Sequence, residues 1–277
     1  MLKRALIALA AAVVVALPAG SAAAPQAYPH RIISLSPTAT EMLFAIGAGK
    51  QVVAVDDQSD YPKNAPRTKL SGYTPNVEAI AKYKPDLVVI ANDVKGLRAS
   101  LKKLKVKVAY EPAAPDVAGA YAQMRHLAVL TGHIGQANRV IKGMDNKVRA
   151  AVSSAPRSHM TYYHELDPTL YSVKSNTFIG RVYELFGLQN IADKAPGSAY
   201  PKLSAEYVVA SNPDFIFLAD SKCCKQTLAT VSARPGWSNI KAVKDGRVIS
   251  VDDSVASRWG PRVVLLVQAV AKALKSQ

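Results

Sequence analysis

The sequence predicts an α/β fold made of two similar lobes, each with a mostly parallel β-sheet, joined by one long helix. One observation is a stretch that occurs twice, once in each half of the chain. A second is the alternation of strand-like and helix-like segments on both sides of the middle. A third is the middle itself, where residues 116–151 contain no proline and carry apolar residues at helical spacing.

The repeated stretch begins with a glutamate and leads into a buried strand. Glu78 and Glu206 each lie seven residues before a Pro-Asp pair, which opens an apolar run in both copies. Proline ends helices, so the residues between are predicted to form a short helix. The runs lack polar alternation, which is typical of a parallel strand buried on both faces. The copies lie 128 residues apart (78 to 206), which indicates two lobes rather than an array of short repeats.

Residues 1–24 are predicted to form a secretory signal. Lys3 and Arg4 supply the positive start, residues 5–17 the apolar centre, and residues 21–23 a cleavage site of small residues. The segment contains no cysteine, so no lipoprotein anchor is expected. The mature protein is therefore predicted to lie in the periplasm.

The first lobe is assigned to residues 28–113. Ser36 is predicted to cap a helix whose first residue is Pro37 and which ends at Gly47. A second helix is predicted over 95–104. The predicted strands of this lobe are 31–35, 51–55, 87–91 and 106–110.

Residues 114–153 are predicted to form the connecting helix, a rigid spacer that can bend or break at Gly132 or Gly135. His126 and His133 lie near one face of it and are expected to be structural or solvent-facing. The second lobe is assigned to residues 157–277, with a helix capped by Ser175 or Asn176 and a closing helix over 262–274. Its predicted strands are 160–165, 215–219 and 247–251.

Composition and motifs exclude several classes of function. The net charge is +15, but Lys and Arg are scattered and no basic run is interleaved with aromatic residues, so no nucleic-acid partner is expected. The basicity indicates attraction to an anionic ligand or surface instead. The sequence contains neither G-x-S-x-G nor H-E-x-x-H, and no complete phosphate-binding loop. The protein is therefore predicted not to be an enzyme.

Candidate ligand-binding residues follow the predicted strands, because ligands bind outside the carboxyl ends of strands in open α/β sheets. They mix aromatic, polar and cationic side chains, which suits a large polar ligand better than a small ion. Each aromatic residue is alternatively a packing residue. These positions are Ser36 to Thr38, Asp57 to Asp60, Tyr73, Asn92, Asp93, His164 to Asp167, Cys223, Cys224 and Ser257 to Trp259.

The adjacent cysteines have three interpretations. In a secreted protein Cys223 and Cys224 are expected to pair with each other in a closed vicinal disulfide ring. Open thiolates would instead bind a soft metal such as cobalt or iron. The pair can also be a rigid turn without a ligand role.

Several of these stretches together resemble a family. The opening 31–41, the loop 59–62, the two glutamate repeats and the ending 258–262 are similar to the helical-backbone substrate-binding proteins of ABC importers. This is the type that binds vitamin B12 or ferric siderophores. The resemblance implies two lobes with the ligand in the cleft between them and little hinge motion. It also implies a monomer that delivers its ligand to a permease and its ATPase.

The resemblance assigns roles to individual residues. Glu78 and Glu206 match the glutamates that dock each lobe on the permease, while Tyr73, Tyr200 and Arg258 match or lie near corrinoid-contacting positions. No catalytic residue, resident cofactor or dedicated metal site is expected, and the cargo is expected to be a cobalt or iron chelate. The expected ligand-binding residues are Thr38, Gln58, Tyr73, Asn92, His164, Tyr200, Cys223, Cys224, Arg258 and Trp259.

Two alternatives remain at the level of sequence. A haem receptor of the same fold would need an axial Tyr, His or Cys, and the residues above include all three. A receptor for a bare metal ion would need three or four converging His, Asp or Glu, and only His164 of the five histidines is suitably placed. A secreted hydrolase with His164 as base is the remote alternative, because no nucleophile motif accompanies it.

Overall fold

The computed structural model describes residues 28–276. The predicted signal segment, residues 1–24, lies outside the described residues, as does Gln277. Among the residues that are described, no helix combines the length and the apolar character needed to cross a membrane.

Two four-stranded parallel sheets form the two lobes. Their strand orders are β2-β1-β3-β4 and β6-β5-β7-β8, so the second sheet repeats the topology of the first. Seven strands lie within one residue of their predicted bounds, whereas the short β6 was not predicted. The strands are β1 (Ile32–Leu35), β2 (Val52–Val55), β3 (Leu87–Ile90), β4 (Lys107–Tyr110), β5 (Thr161–Glu165), β6 (Gln189–Asn190), β7 (Phe215–Leu218) and β8 (Val248–Ser250).

Helices cover and connect the sheets. They are α1 (Pro37–Ala45), α2 (Val77–Ala81), α3 (Leu97–Lys103), α4 (Val117–Thr131), α5 (Ile134–Ser153), α6 (Phe178–Glu184), α7 (Ala205–Ser211), α8 (Leu228–Ser232), α9 (Lys241–Lys244), α10 (Asp253–Ala256) and α11 (Val263–Lys275). The Ser36 side chain caps α1 and Pro37 is its first residue, as predicted. The cap of α6 is Thr177 rather than Ser175 or Asn176, because its hydroxyl is the one that accepts the Gly180 N–H.

The repeated stretch forms the same structure in both lobes. Glu78 is the second residue of α2, and Glu206 is the second residue of α7. The aspartate of each Pro-Asp pair anchors the first strand of its sheet. Asp86 accepts the backbone N–H of Arg31 at 3.0 Å, and Asp214 accepts that of Thr161 at 2.8 Å. The repeat therefore aligns the start of the central strand pair in each lobe.

The connector between the lobes consists of two helices, not the single helix that the sequence predicts. Gly132 ends α4 in the left-handed conformation with φ of +81°, which glycine adopts without steric cost. His133 follows it and binds the carbonyl of Thr131 through Nδ1 at 2.8 Å. His126 on α4 contacts Glu111 at 2.5 Å, so both histidines have the structural roles expected of them.

One hydrophobic core runs through both lobes and the connector. It contains Ile32 of the first sheet, Ile141 of α5 and Phe217 of the second sheet. The opposite face of each sheet packs in a separate cluster, around Val88 in the first lobe and Ile216 in the second. Moving the lobes far apart would expose the shared core, so the apolar packing opposes large hinge motion.

The C-terminal segment is tied to the first lobe by a buried ion pair. Glu41 on α1 is 2% exposed and accepts hydrogen bonds from Arg262 at 2.6 and 2.9 Å. Arg258 approaches the same carboxylate at 3.1 Å. These contacts join residues more than two hundred positions apart and fix the chain just before α11.

We expect the Glu41→Gln variant to lose about 3 kcal/mol of unfolding free energy, because removing one partner leaves the arginines without their buried counter-charge. Urea denaturation measures the loss. The matched control is Glu184→Gln, which breaks an exposed pair with Arg181. That control is expected to change stability by less than about 1 kcal/mol. Equal losses in the two variants would contradict the structural role of Glu41.

Candidate ligand-binding site

A cavity of about 260 Å³ lies at the carboxyl ends of β1, β2 and β3. Residues of the C-terminal segment close it on one side, so the cavity sits where the two halves of the chain meet. Its volume is below the roughly 300–1,000 Å³ of pockets that engulf a drug-sized ligand. A larger ligand would therefore occupy the cavity only in part. The lining residues are Leu35, Ser36, Pro37, Thr38, Asp56, Gln58, Gly72, Tyr73, Ala91, Asn92, Ser257, Arg258 and Trp259.

Parallel strand topology brings most of these residues together. Ser36 to Thr38 occupy the junction of β1 and α1, Gln58 follows β2, and Asn92 follows β3. Since the strands are parallel and adjacent, their carboxyl ends meet at one edge of the sheet. Gly72 approaches Leu35 so closely that a Cβ there would lie 2.5 Å from its carbonyl oxygen, which requires glycine at this place in the wall.

Asp56 lies at the buried base of the cavity and was missed by the sequence prediction. It directly follows β2 and is 1% exposed. Its carboxylate accepts a hydrogen bond from Ser59 at 2.5 Å, and the Ser59 hydroxyl is bonded to Thr40 at 2.8 Å. Burial raises the pKa of Asp56 to about 6, although the Ser59 hydroxyl lowers it. The signal available in the sequence was its position one residue before the loop residues that were chosen.

Arg258 reaches the cavity with its charge already paired. Nη1 donates to Asp60 at 2.7 Å and to Glu41 at 3.1 Å, and Nη2 donates to the Gln58 carbonyl at 3.0 Å. Burial by itself raises the pKa of Asp60, but the hydrogen bond from Arg258 and the positive charges of Arg258 and Arg262 together lower it below its ordinary value. Two carboxylates therefore share this guanidinium, and the wall that it forms carries little net positive charge.

Two aromatic side chains flank the cavity, one held by a hydrogen bond and the other exposed to solvent. The Trp259 indole N–H donates to Gln123 on α4 at 2.8 Å, which holds the ring in a partly buried position. Tyr73 is 70% exposed, so most of its side chain lies in solvent. The structure thus combines one fixed aromatic wall with one that is free to contact a ligand.

Six of the ten predicted ligand-binding residues line this cavity. They are Thr38, Gln58, Tyr73, Asn92, Arg258 and Trp259. Tyr200, Cys223 and Cys224 do not line it. Tyr200 lies in a loop of the second lobe and is 46% exposed, and burial of part of its side chain raises the pKa of its phenol.

The prediction that His164 faces the ligand is wrong. His164 lies within β5, is fully buried, and bonds the Tyr183 hydroxyl through Nδ1 at 2.8 Å. Burial lowers the pKa of His164 to about 3, so the ring is neutral at physiological pH. The sequence counted His164 among the residues at the end of the predicted strand 160–165, but His164 lies within β5 and its side chain is buried in the core.

The expected vicinal disulfide is absent from the structure. Cys223 and Cys224 are both free thiols in the turn that follows β7. Cys223 is exposed and Cys224 is half-buried. Within residues 28–276, no three His, Cys, Asp or Glu side chains are grouped in a way that could hold a metal ion.

The strand ends of the second lobe hold a buried charge cluster that the sequence did not reveal. Glu165 accepts two hydrogen bonds of 2.6 Å from Arg234, which also donates to Gln226 at 2.8 Å. Both carboxylate oxygens of Asp220 are buried without a hydrogen-bond partner. Burial and the neighbouring carboxylate of Glu165 raise the pKa of Asp220 to about 7.

Glu78 and Glu206 are exposed, one on each lobe. Each lies in the first turn of its helix, where a carboxylate interacts favourably with the helix dipole. The adjacent backbone N–H of Glu206 and the nearby Ser204 hydroxyl lower the pKa of the Glu206 carboxyl group.

Comparison with known proteins identifies the family. A model of the periplasmic binding proteins matches residues 32–255. The chain belongs to this family. Membership makes it an extracytoplasmic substrate-binding protein rather than an enzyme, as the sequence predicted, and the two parallel sheets are the fold of its structural neighbours.

Two relatives align along most of the chain. The uncharacterised ABC transporter substrate-binding lipoprotein YvrC of Bacillus subtilis is 28% identical over 257 residues, 89% of this chain and 80% of the relative. A cobalamin-binding protein of Halobacterium salinarum is 30% identical over 257 residues, 88% of this chain and 69% of the relative.

Two solved structures show the same fold. A possible iron-binding protein of Staphylococcus epidermidis is 28% identical, with a TM-score of 0.74, over 89% of this chain and 99% of the other. The vitamin B12 binding protein of Vibrio cholerae is 24% identical, with a TM-score of 0.78, over 90% of this chain and 97% of the other.

We expect the Asp220→Asn variant to have a flatter dependence of stability on pH. The folded state of the natural protein keeps a proton on Asp220 up to about pH 7, whereas the ordinary pKa is 3.8. Its unfolding free energy therefore falls as pH rises between these values, because the folded state binds the extra proton. At pH 8 the variant should be more stable by on the order of 2 kcal/mol.

Urea denaturation from pH 4 to pH 8 measures this difference. The exposed Asp145, which pairs with Arg149 across one helical turn, provides the control Asp145→Asn. Its pH profile should run parallel to that of the natural protein. A parallel profile for Asp220→Asn as well would show that Asp220 ionises normally.

Proposed function

We propose that the protein captures a corrinoid such as cobalamin outside the cytoplasm and delivers it to an ABC permease driven by its ATPase. The ligand would lie in the cleft between the lobes, with part of the ring in the cavity at the strand ends of the first lobe. The observation that carries this choice of ligand is that protein carboxylates already balance the positive charge of Arg258.

Arg258 favours a ligand with neutral polar groups. Glu41 and Asp60 already balance its charge, and one of its N–H groups is used by the Gln58 carbonyl. A carboxylate-bearing ligand would have to compete with these two protein carboxylates for the guanidinium. The amide groups on the rim of a corrin ring need only the remaining N–H donors and nearby oxygen acceptors.

The other walls of the cavity suit the same ligand. Tyr73 and Trp259 offer aromatic surfaces to a large flat ring. Thr38 and Asn92 offer polar groups that can bond amides, and Asp56 adds a carboxyl group at the base. The cobalamin-binding relative of Halobacterium salinarum, with its 30% identity, supports the same class of ligand.

An iron chelate or haem is the second candidate. The exposed hydroxyl of Tyr73 is available as an axial ligand to iron, and the similar structure from Staphylococcus epidermidis is described as possibly iron-binding. Corrinoids, haem and ferric catecholates have distinct absorption spectra. The spectrum of protein purified from its native compartment therefore separates the candidates directly.

Docking on the permease is assigned to Glu78 and Glu206. They occupy equivalent positions in the two lobes and are free of salt bridges in the described part of the chain. Their exposure at helix starts allows them to meet cationic side chains of a partner without disturbing the core. We propose that the mature protein acts in the periplasm as a monomer; the secretory pattern of residues 1–24 supports the compartment.

We expect Tyr73→Ala and Trp259→Ala each to weaken cobalamin binding by about tenfold, because each removes an aromatic wall. Isothermal titration calorimetry measures the affinity. Tyr110→Ala is the control, since this tyrosine is also an exposed aromatic residue but lies outside the cavity. If the natural protein binds cobalamin and neither cavity variant weakens it, the ligand uses another surface. If the natural protein binds haem or a ferric siderophore instead, the corrinoid assignment fails.

We expect the double variant Glu78→Lys/Glu206→Lys to abolish uptake while keeping the natural affinity for ligand, because both side chains lie away from the cavity. Transport assays in cells that lack the natural protein, combined with calorimetry on the purified variant, measure the two quantities. Glu184→Lys reverses an exposed charge on another helix and should leave uptake unchanged. Normal uptake by the double variant would rule out the docking role.

A further inference from the structure

The turn after β7 carries the only two cysteines of the chain. Cys223 and Cys224 are adjacent free thiols, and Cys223 is exposed. Neither thiol belongs to the cavity described above. The exposure of Cys223 makes the pair accessible to a reagent in solution, including the disulfide of another molecule.

One carboxylate holds this turn against the start of α10. Asp253 accepts the backbone N–H of Lys222 at 2.9 Å and that of Cys223 at 2.6 Å. The Cys224 N–H donates to the carbonyl of Asp220 at 3.1 Å. The position of Asp253 therefore depends on the backbone conformation of the cysteine pair.

The single turn of α10 connects Asp253 to the wall of the cavity. The Asp253 carbonyl accepts the N–H of Ser257 at 3.1 Å and also the Ser257 hydroxyl. Ser257 lines the cavity and is followed directly by Arg258 and Trp259. The cysteine pair and the ligand-facing wall are thus joined by a short, hydrogen-bonded path.

We propose that Cys223 and Cys224 form a thiol-oxidation site, at which a disulfide oxidant closes a reversible vicinal disulfide that loosens the turn from Asp253 and shifts the cavity wall at Ser257 to Trp259. The effect on corrinoid binding rests on the proposed function, whereas the oxidation itself does not.

Geometry explains why closing the ring moves the backbone. Consecutive Cα atoms are about 3.8 Å apart across a trans peptide. Disulfide-bonded cysteines usually have Cα atoms roughly 4.4–6.8 Å apart. Closing the ring at this short distance therefore strains and twists the peptide between the two cysteines, which affects the Cys224 N–H first and the Cys223 N–H next. A strained disulfide of this kind is also readily reduced, so the reaction runs in both directions.

The chemistry balances with a disulfide-bearing thiol oxidant. One cysteine, as thiolate, attacks a sulfur of the oxidant, which releases the other oxidant sulfur as a thiolate and leaves a mixed disulfide. The second cysteine loses its proton, attacks the first cysteine sulfur and expels the remaining oxidant sulfur. Two protons and two electrons pass from the cysteines to the oxidant, which for oxidised glutathione leaves as two separate thiol molecules.

The surroundings of Cys223 set the rate of this reaction. Burial, the neighbouring Cys224 thiol and the Asp253 carboxylate raise the pKa of the Cys223 thiol well above its usual range. The thiol form predominates at neutral pH, so closure should become faster as pH rises. Replacing Asp253 with asparagine removes a negative charge beside the thiol and should speed closure.

In the test, the purified full-length mature protein is incubated with oxidised glutathione at pH 7 and at pH 9. The reactive thiols are then counted by alkylation followed by intact-mass measurement. Hydrogen exchange of the 220–226 and 252–259 segments is followed in the reduced and oxidised forms. The double variant Cys223→Ser/Cys224→Ser is the matched control, which should not respond to the oxidant. Calorimetry with cobalamin is carried out on both forms of the natural protein.

We expect loss of both alkylations together with the mass of two hydrogen atoms, faster at pH 9, and recovery of both thiols on adding dithiothreitol. The amides of Lys222 and Cys223 should exchange at least about tenfold faster in the oxidised form, since a hydrogen bond to a charged acceptor is lost. In the oxidised form, the rate of amide hydrogen exchange in residues 252–259 should also rise. The affinity for cobalamin should fall by about tenfold.

Two alkylations that persist after oxidation, or a stable mixed disulfide with glutathione, would overturn the site. Ring closure without any change of exchange in 252–259 would overturn the link to the cavity wall. A reduced protein that does not bind cobalamin refutes the proposed ligand, but it leaves the mass and exchange results to decide on the oxidation site.

Discussion

The buried carboxylate of Glu41 is the constraint on which the cleft depends. A carboxylate removed from water is costly unless charged partners and hydrogen bonds surround it. Here Arg262 and Arg258 supply them from the far end of the chain, at 2.6 to 3.1 Å. The same contacts bring the C-terminal segment onto α1 and set Trp259 beside α4. Stability of the fold and the shape of the ligand-facing wall thus rest on one group of charges.

The two lobes repeat one topology but use equivalent positions differently. The strand registers place Asn92 and Asp220 each two residues beyond the end of the central strand of its sheet. In the first lobe this edge opens into the cavity, and Asn92 lines it. In the second lobe Arg234 and Gln226 cover the edge, and Asp220 is buried. An internal duplication therefore produces a binding face on one lobe and a sealed charge cluster on the other.

Packing and charge together suit a receptor that changes shape little. The shared core joins both sheets to α4, α5 and α11, so a wide opening of the lobes would expose apolar surface. The Tyr73 side chain, which is 70% exposed, can change its orientation at the cleft without disturbing this core.

The sequence by itself determined the features that depend on neighbours along the chain. The Pro-Asp repeats, the Ser36 cap and seven strands follow from local hydrogen bonds and from apolar patterns. Six ligand-facing residues could be placed because parallel strands end at a common edge. The tertiary structure decided which side chains are buried and which distant residues pair. It buries His164 in the core, leaves the Asp220 carboxylate without a hydrogen-bond partner, and pairs Glu41 with Arg262. Those outcomes depend on which surfaces meet in the folded chain, from 19 residues apart for His164 and Tyr183 to 221 for Glu41 and Arg262, and no local pattern encodes that.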